Sequence, residues 1–162
     1  MALGWMWIRG DRFFFYTQQR IGLHGRPFVL YKLRTLHIGF DDTKGKIHTV
    51  QDITVTGHFL RKWRIDELPQ VWNILRGEMS WVGPRPEVPV VYHRCCAMDP
   101  TFADRQEALP GITGLSQWKN PDYTADQSLL KLPDDLYYVR NARFFMDLRI
   151  LWQTLWVLIR GL

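Results

Sequence analysis

The C-terminal stretch Asp134 to Leu162 narrows the folds open to this chain more than any other segment. Read as one helix, its apolar residues Phe144, Phe145, Leu148, Leu151, Trp152, Leu155, Trp156, Leu158 and Ile159 cover close to half the wheel. Arg149, Gln153 and Arg160 line one border. A face so wide and aromatic must rest on a second apolar body. Two bodies qualify, the core of the same domain or the headgroup region of a membrane, and the two can hold at different ends of the helix. A membrane span is a third option that the sequence does not support, because no uncharged apolar run reaches the roughly 18 residues required.

The rest of the 162 residues is enough for one domain with its own core, without disulfides or metal to hold it together. Phe13 to Ile21 and Phe28 to Thr35 are aromatic and β-branched runs, and Gly22-Leu23-His24-Gly25 between them predicts a hairpin. His37 to Thr56 is polar and reads as a loop. Asp66 to Arg76 predicts a helix, with Asp66 as N-cap, Pro69 in the first turn and Gly77 as the C-terminal stop. Its apolar stripe is Leu68, Val71, Trp72 and Leu75. Asp66, Gln70 and Asn73 lie opposite, and Glu67 stands about a quarter-turn aside. Ser80 to Val82 predicts a short strand, Val88 to Met98 a helix, and Pro110 to Gly114 a turn feeding a strand at Leu115 to Trp118. The expected fold is α+β: a mostly helical single domain with a short N-terminal β-hairpin and a long C-terminal amphipathic helix.

Charge becomes informative once it is located. Residues 1–40 carry six basic side chains and one acid, whereas residues 41–162 carry 15 of each sign, so the whole excess of +5 lies in the first quarter. That excludes a uniformly basic nucleic-acid coat and suggests a local anionic partner, either phosphate groups or an anionic membrane. The eight Trp residues fit a membrane interface or a core equally well. Cys95 and Cys96 are adjacent and make no disulfide framework; they read as small buried residues of a reducing compartment. The five His are scattered, without zinc spacing.

Asp66 and Glu67 are the first candidates for chemistry. Paired acids at a helix start are common as capping groups. Here Arg61, Lys62 and Arg64 precede the pair, Arg85 follows between two prolines, and Lys32 and Arg34 lie on the basic hairpin. Acids among several cations suit phosphate transfer. One acid can hold a divalent cation while the cations neutralise phosphate oxygens. A carboxylate can also attack phosphorus itself, provided nearby positive charge keeps it ionised. No Walker-type loop, kinase signature or nucleophile elbow is present in the sequence.

Four segments now stand in order: QQRIGLHGRPFVLYKLRTL at 18–36, GHFLRKWRIDELPQVWNILRGEMSWVGPRPE at 57–87, PGITGLSQW at 110–118 and DLRILWQTLWVLIRG at 147–161. Together they resemble the bacterial sugar transferase family, the monotopic phosphoglycosyl transferases that begin lipid-linked glycan synthesis. The resemblance implies transfer of a sugar-1-phosphate from a UDP-sugar to a polyprenyl phosphate at the cytoplasmic face of the bacterial inner membrane, with release of UMP. It implies Asp66 as nucleophile, Glu67 as the acid that binds Mg2+, Arg85 as a ligand of the nucleotide or its phosphates, and Lys32 and Arg34 as the basic segment near the phosphates. Arg64, Glu78, Gln117 and Arg105 are further candidates to line the site, with a solvated surface an equal alternative for each.

The chain departs from the family pattern at its start. Met1 to Ile8 spans only about 12 Å if helical, so residues 1–12 read as a short apolar and basic remnant of a membrane-proximal segment, ahead of a catalytic domain at 13–162. Leu36 and Trp81 stand where Met and a smaller aliphatic are expected and read as packing changes. A catalytically idle, membrane-associated scaffold is the competing expectation. A nucleic-acid module is disfavoured, because the basic charge is confined to residues 1–40 and no nucleic-acid signature is present.

Overall fold

The two aromatic runs form the expected hairpin. In the computed structural model, which describes residues 14–37, 52–120 and 125–160, strand β1 (Phe15–Ile21) pairs antiparallel with β2 (Pro27–Leu33). The turn takes two consecutive left-handed residues, His24 at φ 53° and Gly25 at φ 74°. Strand alternation sets Tyr16, Gln18 and Arg20 on one face with their cross-strand partners Lys32, Leu30 and Phe28. Phe28 and Leu30 are core residues. The same period of two therefore carries Lys32 inward. The expected N-terminal remnant lies outside the described residues.

The hairpin is tied directly to the first helix. The Thr35 carbonyl accepts both the backbone N–H (2.9 Å) and the hydroxyl (3.2 Å) of Thr54. The Thr54 hydroxyl oxygen in turn accepts the Gly57 N–H at 2.9 Å and caps helix α1 (Val55–Lys62). Gly57 is needed for this approach, since a Cβ there would lie 2.2 Å from the Thr35 carbonyl oxygen. The expected loop at 37–56 thus ends two residues early, and its residues 38–51 lie outside the described part.

The predicted helix over 66–76 is replaced by a 3-10 turn (Ile65–Gln70) running into a short helix α2 (Val71–Leu75). Asp66 is not its N-cap. Arg64 precedes the turn in the left-handed region at φ 50°, and its carbonyl accepts the Glu67 N–H at 3.2 Å. Pro69 lies inside the turn and brings no N–H to an α-helical ladder. Gly77 at φ 71° ends the element as expected.

The faces of this segment are also the reverse of a soluble amphipathic helix. Leu68, Trp72 and Leu75 are exposed, whereas Asp66, Glu67, Gln70 and Asn73 are buried. Asn73 supplies the reason. Its Oδ1 accepts the Tyr31 N–H at 3.2 Å, and its Nδ2 donates to the Val29 carbonyl at 2.7 Å and to Glu78 Oε2 at 2.6 Å. A fully buried amide thus stitches the polar face to β2.

Strand β3 (Ser80–Val82) leads through residues 83–88 into helix α3 (Pro89–Met98) and a 3-10 segment, Pro100–Glu107. The expected turn at 110–114 is itself strand β4 (Gly111–Thr113), parallel to β3, and the expected strand at 115–118 is helix α4 (Leu115–Lys119). Close backbone approach explains the exchange: a Cβ on Gly111 would lie 2.1 Å from Gly83 N. Glycine opens a parallel pairing that hydrophobic patterning does not announce.

The single C-terminal helix is broken. A 3-10 segment (Ala125–Lys131) leads into α5 (Leu132–Asn141), which ends where Ala142 turns to ψ 125°, and α6 (Phe144–Arg160) begins afresh. The Tyr138 hydroxyl bridges the break, 2.8 Å from Asp147 Oδ1 and 3.1 Å from the Val82 carbonyl oxygen. The core placement expected for this helix occurs on one side of it. Ile150 packs with Val82, Leu115 and Tyr138, and Thr154 meets Thr113 at 2.7 Å. Phe144, Phe145, Leu148, Trp152 and Leu155 face outward. A second core, of Val88, Val91, Cys95, Phe102 and Leu132, joins α3 to α5. Cys95 is buried and free, as expected.

Candidate active site

The hairpin, the 3-10 turn and the loop after β3 converge on Glu67. Lys32 Nζ, from the inward face of β2, lies 3.1 Å from Glu67 Oε1. Arg85 Nη2 reaches the same oxygen at 3.1 Å, and Arg64 Nη1 lies 3.7 Å from Oε2. Glu67 is 6% exposed and Asp66 8%. Of the predicted site residues, the structure thus brings together Asp66, Glu67, Lys32, Arg64 and Arg85. The predicted Arg34 makes no contact with these acids; its guanidinium carbon lies 5.7 Å from the centre of the Tyr16 ring.

Their surroundings push the two acids in opposite directions. Burial alone would raise Glu67, but Lys32, Arg85 and Arg64 outweigh it and hold the carboxylate well below its usual range. Burial also raises Asp66, and there it prevails, with the neighbouring Glu67 adding to the rise and Lys32, Arg61 and Arg85 opposing it. Lys32 is lowered by burial despite the attraction of Glu67, whereas Glu67 raises Arg85. Glu67 is therefore the fixed anion that gathers the cations. Asp66 is the carboxylate beside them without so tight a clamp.

Sequence reading passed over one participant, Arg20, and named Arg61 and Gln117 without a contact. Arg20 shares the strand face of Lys32 and lines a cleft with Lys32, Gln70, Arg85 and Pro86; strand alternation alone points to it. Arg61 donates from Nε to Thr35 Oγ1 at 2.8 Å, on the Asp66 side of the cluster. Gln117 Oε1 faces Arg85 Nη1 at 3.4 Å, which gives it a place in the site. Two other candidates are corrected. Arg105 is fully enclosed and lies neither on the surface nor in the cleft, and Glu78 is engaged by Asn73.

The pair also fits a divalent cation. Glu67 Oε2 is buried and accepts no hydrogen bond, with Arg64 Nη1 3.7 Å away as its nearest cation. Among the described residues no group of three metal-ligating side chains occurs. Mg2+ is typically held by one or two carboxylates together with water and substrate phosphates, and carboxylate is the donor type that the pair offers.

The chain is similar to known proteins along most of its length. The family model described as bacterial sugar transferase matches residues 1–161. The uncharacterized sugar transferase EpsL of Bacillus subtilis is 40% identical over 86% of this chain and 67% of its own length. The UDP-glucose:undecaprenyl-phosphate glucose-1-phosphate transferase of Klebsiella pneumoniae is 35% identical over 86% of this chain, and the UDP-N-acetylgalactosamine-undecaprenyl-phosphate N-acetylgalactosaminephosphotransferase of Aeromonas hydrophila is 33% identical over 90%. The aligned part is only 31% and 35% of those two proteins. With a hairpin, an acidic turn and a proline-flanked arginine meeting at one carboxylate, and a family model spanning residues 1–161, the chain belongs to the bacterial sugar transferase family.

Proposed function

We propose that this chain transfers a sugar-1-phosphate from a UDP-sugar to a polyprenyl phosphate at the cytoplasmic face of the membrane. The observation that carries this reading is the division of labour between adjacent acids: Glu67 clamped by Lys32 and Arg85 at 3.1 Å each, with Asp66 buried beside it. An ionised Asp66 oxygen attacks the phosphorus that bears the sugar. The P–O bond to the nucleotide breaks, UMP leaves with the electron pair, and an aspartyl phosphosugar forms. An oxygen of the polyprenyl phosphate then attacks the same phosphorus, and the carboxylate leaves. Both nucleophiles are anionic, so neither step requires a general base.

Lys32 and Arg85 neutralise phosphate oxygens as the donor enters, exchanging part of their contact with Glu67 for contact with substrate. Arg20 and Gln117 border the same space and orient the donor. Glu67 would hold Mg2+ through Oε2, and that ion would supply further neutralisation of the diphosphate. Burial raises Asp66, and Lys32, Arg61 and Arg85 oppose that rise.

The acceptor is a lipid, and the outward apolar residues match that requirement. Leu68, Trp72 and Leu75 on the catalytic segment, Phe59 and Trp63 on and after α1, and the aromatic side of α6 are all exposed. Among the described residues no helix is long and apolar enough to cross a membrane. These faces support docking onto a bilayer surface.

The decisive experiment incubates the protein with Mg2+ and UDP-glucose, UDP-galactose or UDP-N-acetylgalactosamine, without acceptor, and maps the covalent adduct by mass spectrometry. One sugar phosphate on Asp66 is expected. Normal UMP release by Asp66→Asn overturns the assignment.

A further inference from the structure

The loop that carries Arg85 is held from its carbonyl side by four donors from three parts of the chain. The Pro84 carbonyl accepts the Gly111 N–H at 3.0 Å, and the Glu87 carbonyl accepts the Ile21 N–H at 3.0 Å. Between them, the Arg85 carbonyl accepts Arg105 Nη2 at 3.1 Å, and the Pro86 carbonyl accepts Arg20 Nη1 at 3.0 Å. Pro84 and Pro86 have no N–H of their own. The conformation of the loop is therefore set largely by these incoming donors.

Arg105 is the unusual one. It is 0% exposed, so it cannot touch a substrate in the cleft. Its Nη2 also lies 2.5 Å from Asp135 Oδ2, its Nη1 lies 3.9 Å from Glu87 Oε1, and its guanidinium covers the Phe102 ring at 4.5 Å. Both carboxylates are themselves held: Ser116 Oγ donates to Asp135 at 2.7 Å and Ser128 Oγ to Glu87 at 3.1 Å. Apolar residues fill the adjoining core, and an apolar side chain here would avoid the desolvation of buried charge. An apolar residue could not grip a carbonyl.

We infer that Arg105 is a positioning residue. It anchors on Asp135 of α5 and fixes the Arg85 backbone, so that the Arg85 guanidinium stands preorganised toward Glu67 and the incoming phosphate. This rests on the reading of Arg85 as a phosphate ligand.

The test is Arg105→Lys, which keeps the positive charge facing Asp135 but lacks the fork needed to grip both acceptors. A small displacement of Arg85 should lower kcat/KM for UMP release by about 100-fold. In an Arg85→Gln background the same change should have an effect of less than about threefold, because the group being positioned is gone. An equal effect in both backgrounds overturns the inference and leaves Arg105 a stabilising residue only. Amide exchange, which needs no turnover, should quicken at Gly111 and Ile21, whose N–H groups donate to the loop carbonyls, in Arg105→Lys while the amides of α6 stay protected. Unchanged exchange at those two amides overturns it as well. If the wild type shows no turnover with any UDP-sugar, the proposed reaction fails while the exchange measurement still decides the positioning role. Should Arg105→Lys not fold, Arg105→Gln with Asp135→Asn removes both buried charges and is judged by the same two criteria.

Discussion

Arg85 Nη2 lies 3.1 Å from Glu67 Oε1, joining a proline-flanked loop to the 3-10 turn that bears both acids. Lys32 reaches the same oxygen from the hairpin, so one carboxylate oxygen fixes three chain segments relative to one another. Glu67→Gln keeps the shape and removes the charge. Lys32 and Arg85 are then left half-buried without their counter-ion, a situation that typically costs about 3–5 kcal/mol. Chemical denaturation should show a loss of that order, and inorganic phosphate should stabilise the variant more than the wild type. An unchanged denaturation midpoint would refute the clamp.

Asn73 makes a second, separable prediction. Asn73→Ala leaves the Tyr31 N–H and the Val29 carbonyl without their buried partner. Each orphaned group costs about 1–3 kcal/mol. Stability should fall by about 2–5 kcal/mol on that basis, and the exposed Trp72 should report the loosening of α2 as changed fluorescence anisotropy. Asn73→Asp should not rescue it, because Asp lacks the N–H donors that serve Val29 and Glu78.

Asn73 also shows what the sequence could convey and what it could not. Alternation in the hairpin was plain, and it places Lys32 and Arg20 on the inward face. Four motifs in order identified the family and brought Asp66, Glu67, Lys32, Arg64 and Arg85 to one site from the sequence alone. The burial pattern of the acidic segment was not legible. Leu68, Trp72 and Leu75 form an ordinary core stripe by periodicity, yet they are exposed, because Asn73 bonds the opposite, polar face to β2. The β4 and α4 assignments failed for a different reason: Gly83 and Gly111 act through backbone contact across 28 positions, and local patterning has no access to that. The break at Ala142 carries no Pro or Gly and is fixed by a tertiary contact, the Tyr138 hydroxyl beside Asp147.

The exposed stripe gives a test of membrane docking. Trp72 is 53% exposed and Phe145 81%. Transferring a large apolar side chain from water is worth about 1.5–3 kcal/mol. Trp72→Ala with Phe145→Ala should therefore weaken binding to vesicles containing anionic phospholipid by at least about tenfold on that scale, with little change in folding stability. Co-sedimentation measures it. Equal recovery of variant and wild type in the vesicle pellet would show that these faces do not carry the docking.

Tyr138 offers a pH test away from the paired acids. Burial, and then its hydrogen bond to Asp147, pushes its hydroxyl far above the ordinary phenol range. The unfolded chain releases this proton from about pH 10 upward, whereas the folded chain keeps it. The folded state then binds more protons, so its stability falls as pH rises past 10. Buried Lys32 and Lys131 act oppositely: both are lowered by burial, lose their protons earlier in the folded state, and favour folding as pH rises toward the ordinary lysine value. Comparing the wild type with Tyr138→Phe removes these lysine contributions from the difference. At pH 8 the variant should be less stable by about 1 kcal/mol through loss of its hydroxyl contacts. Between pH 9 and 11 the gap should close, because only the wild type carries the tyrosine penalty. Urea denaturation at intervals across that range reads the difference directly, and a gap that stays constant with pH would mean that the Tyr138 hydroxyl ionises in the folded protein as readily as in the unfolded chain.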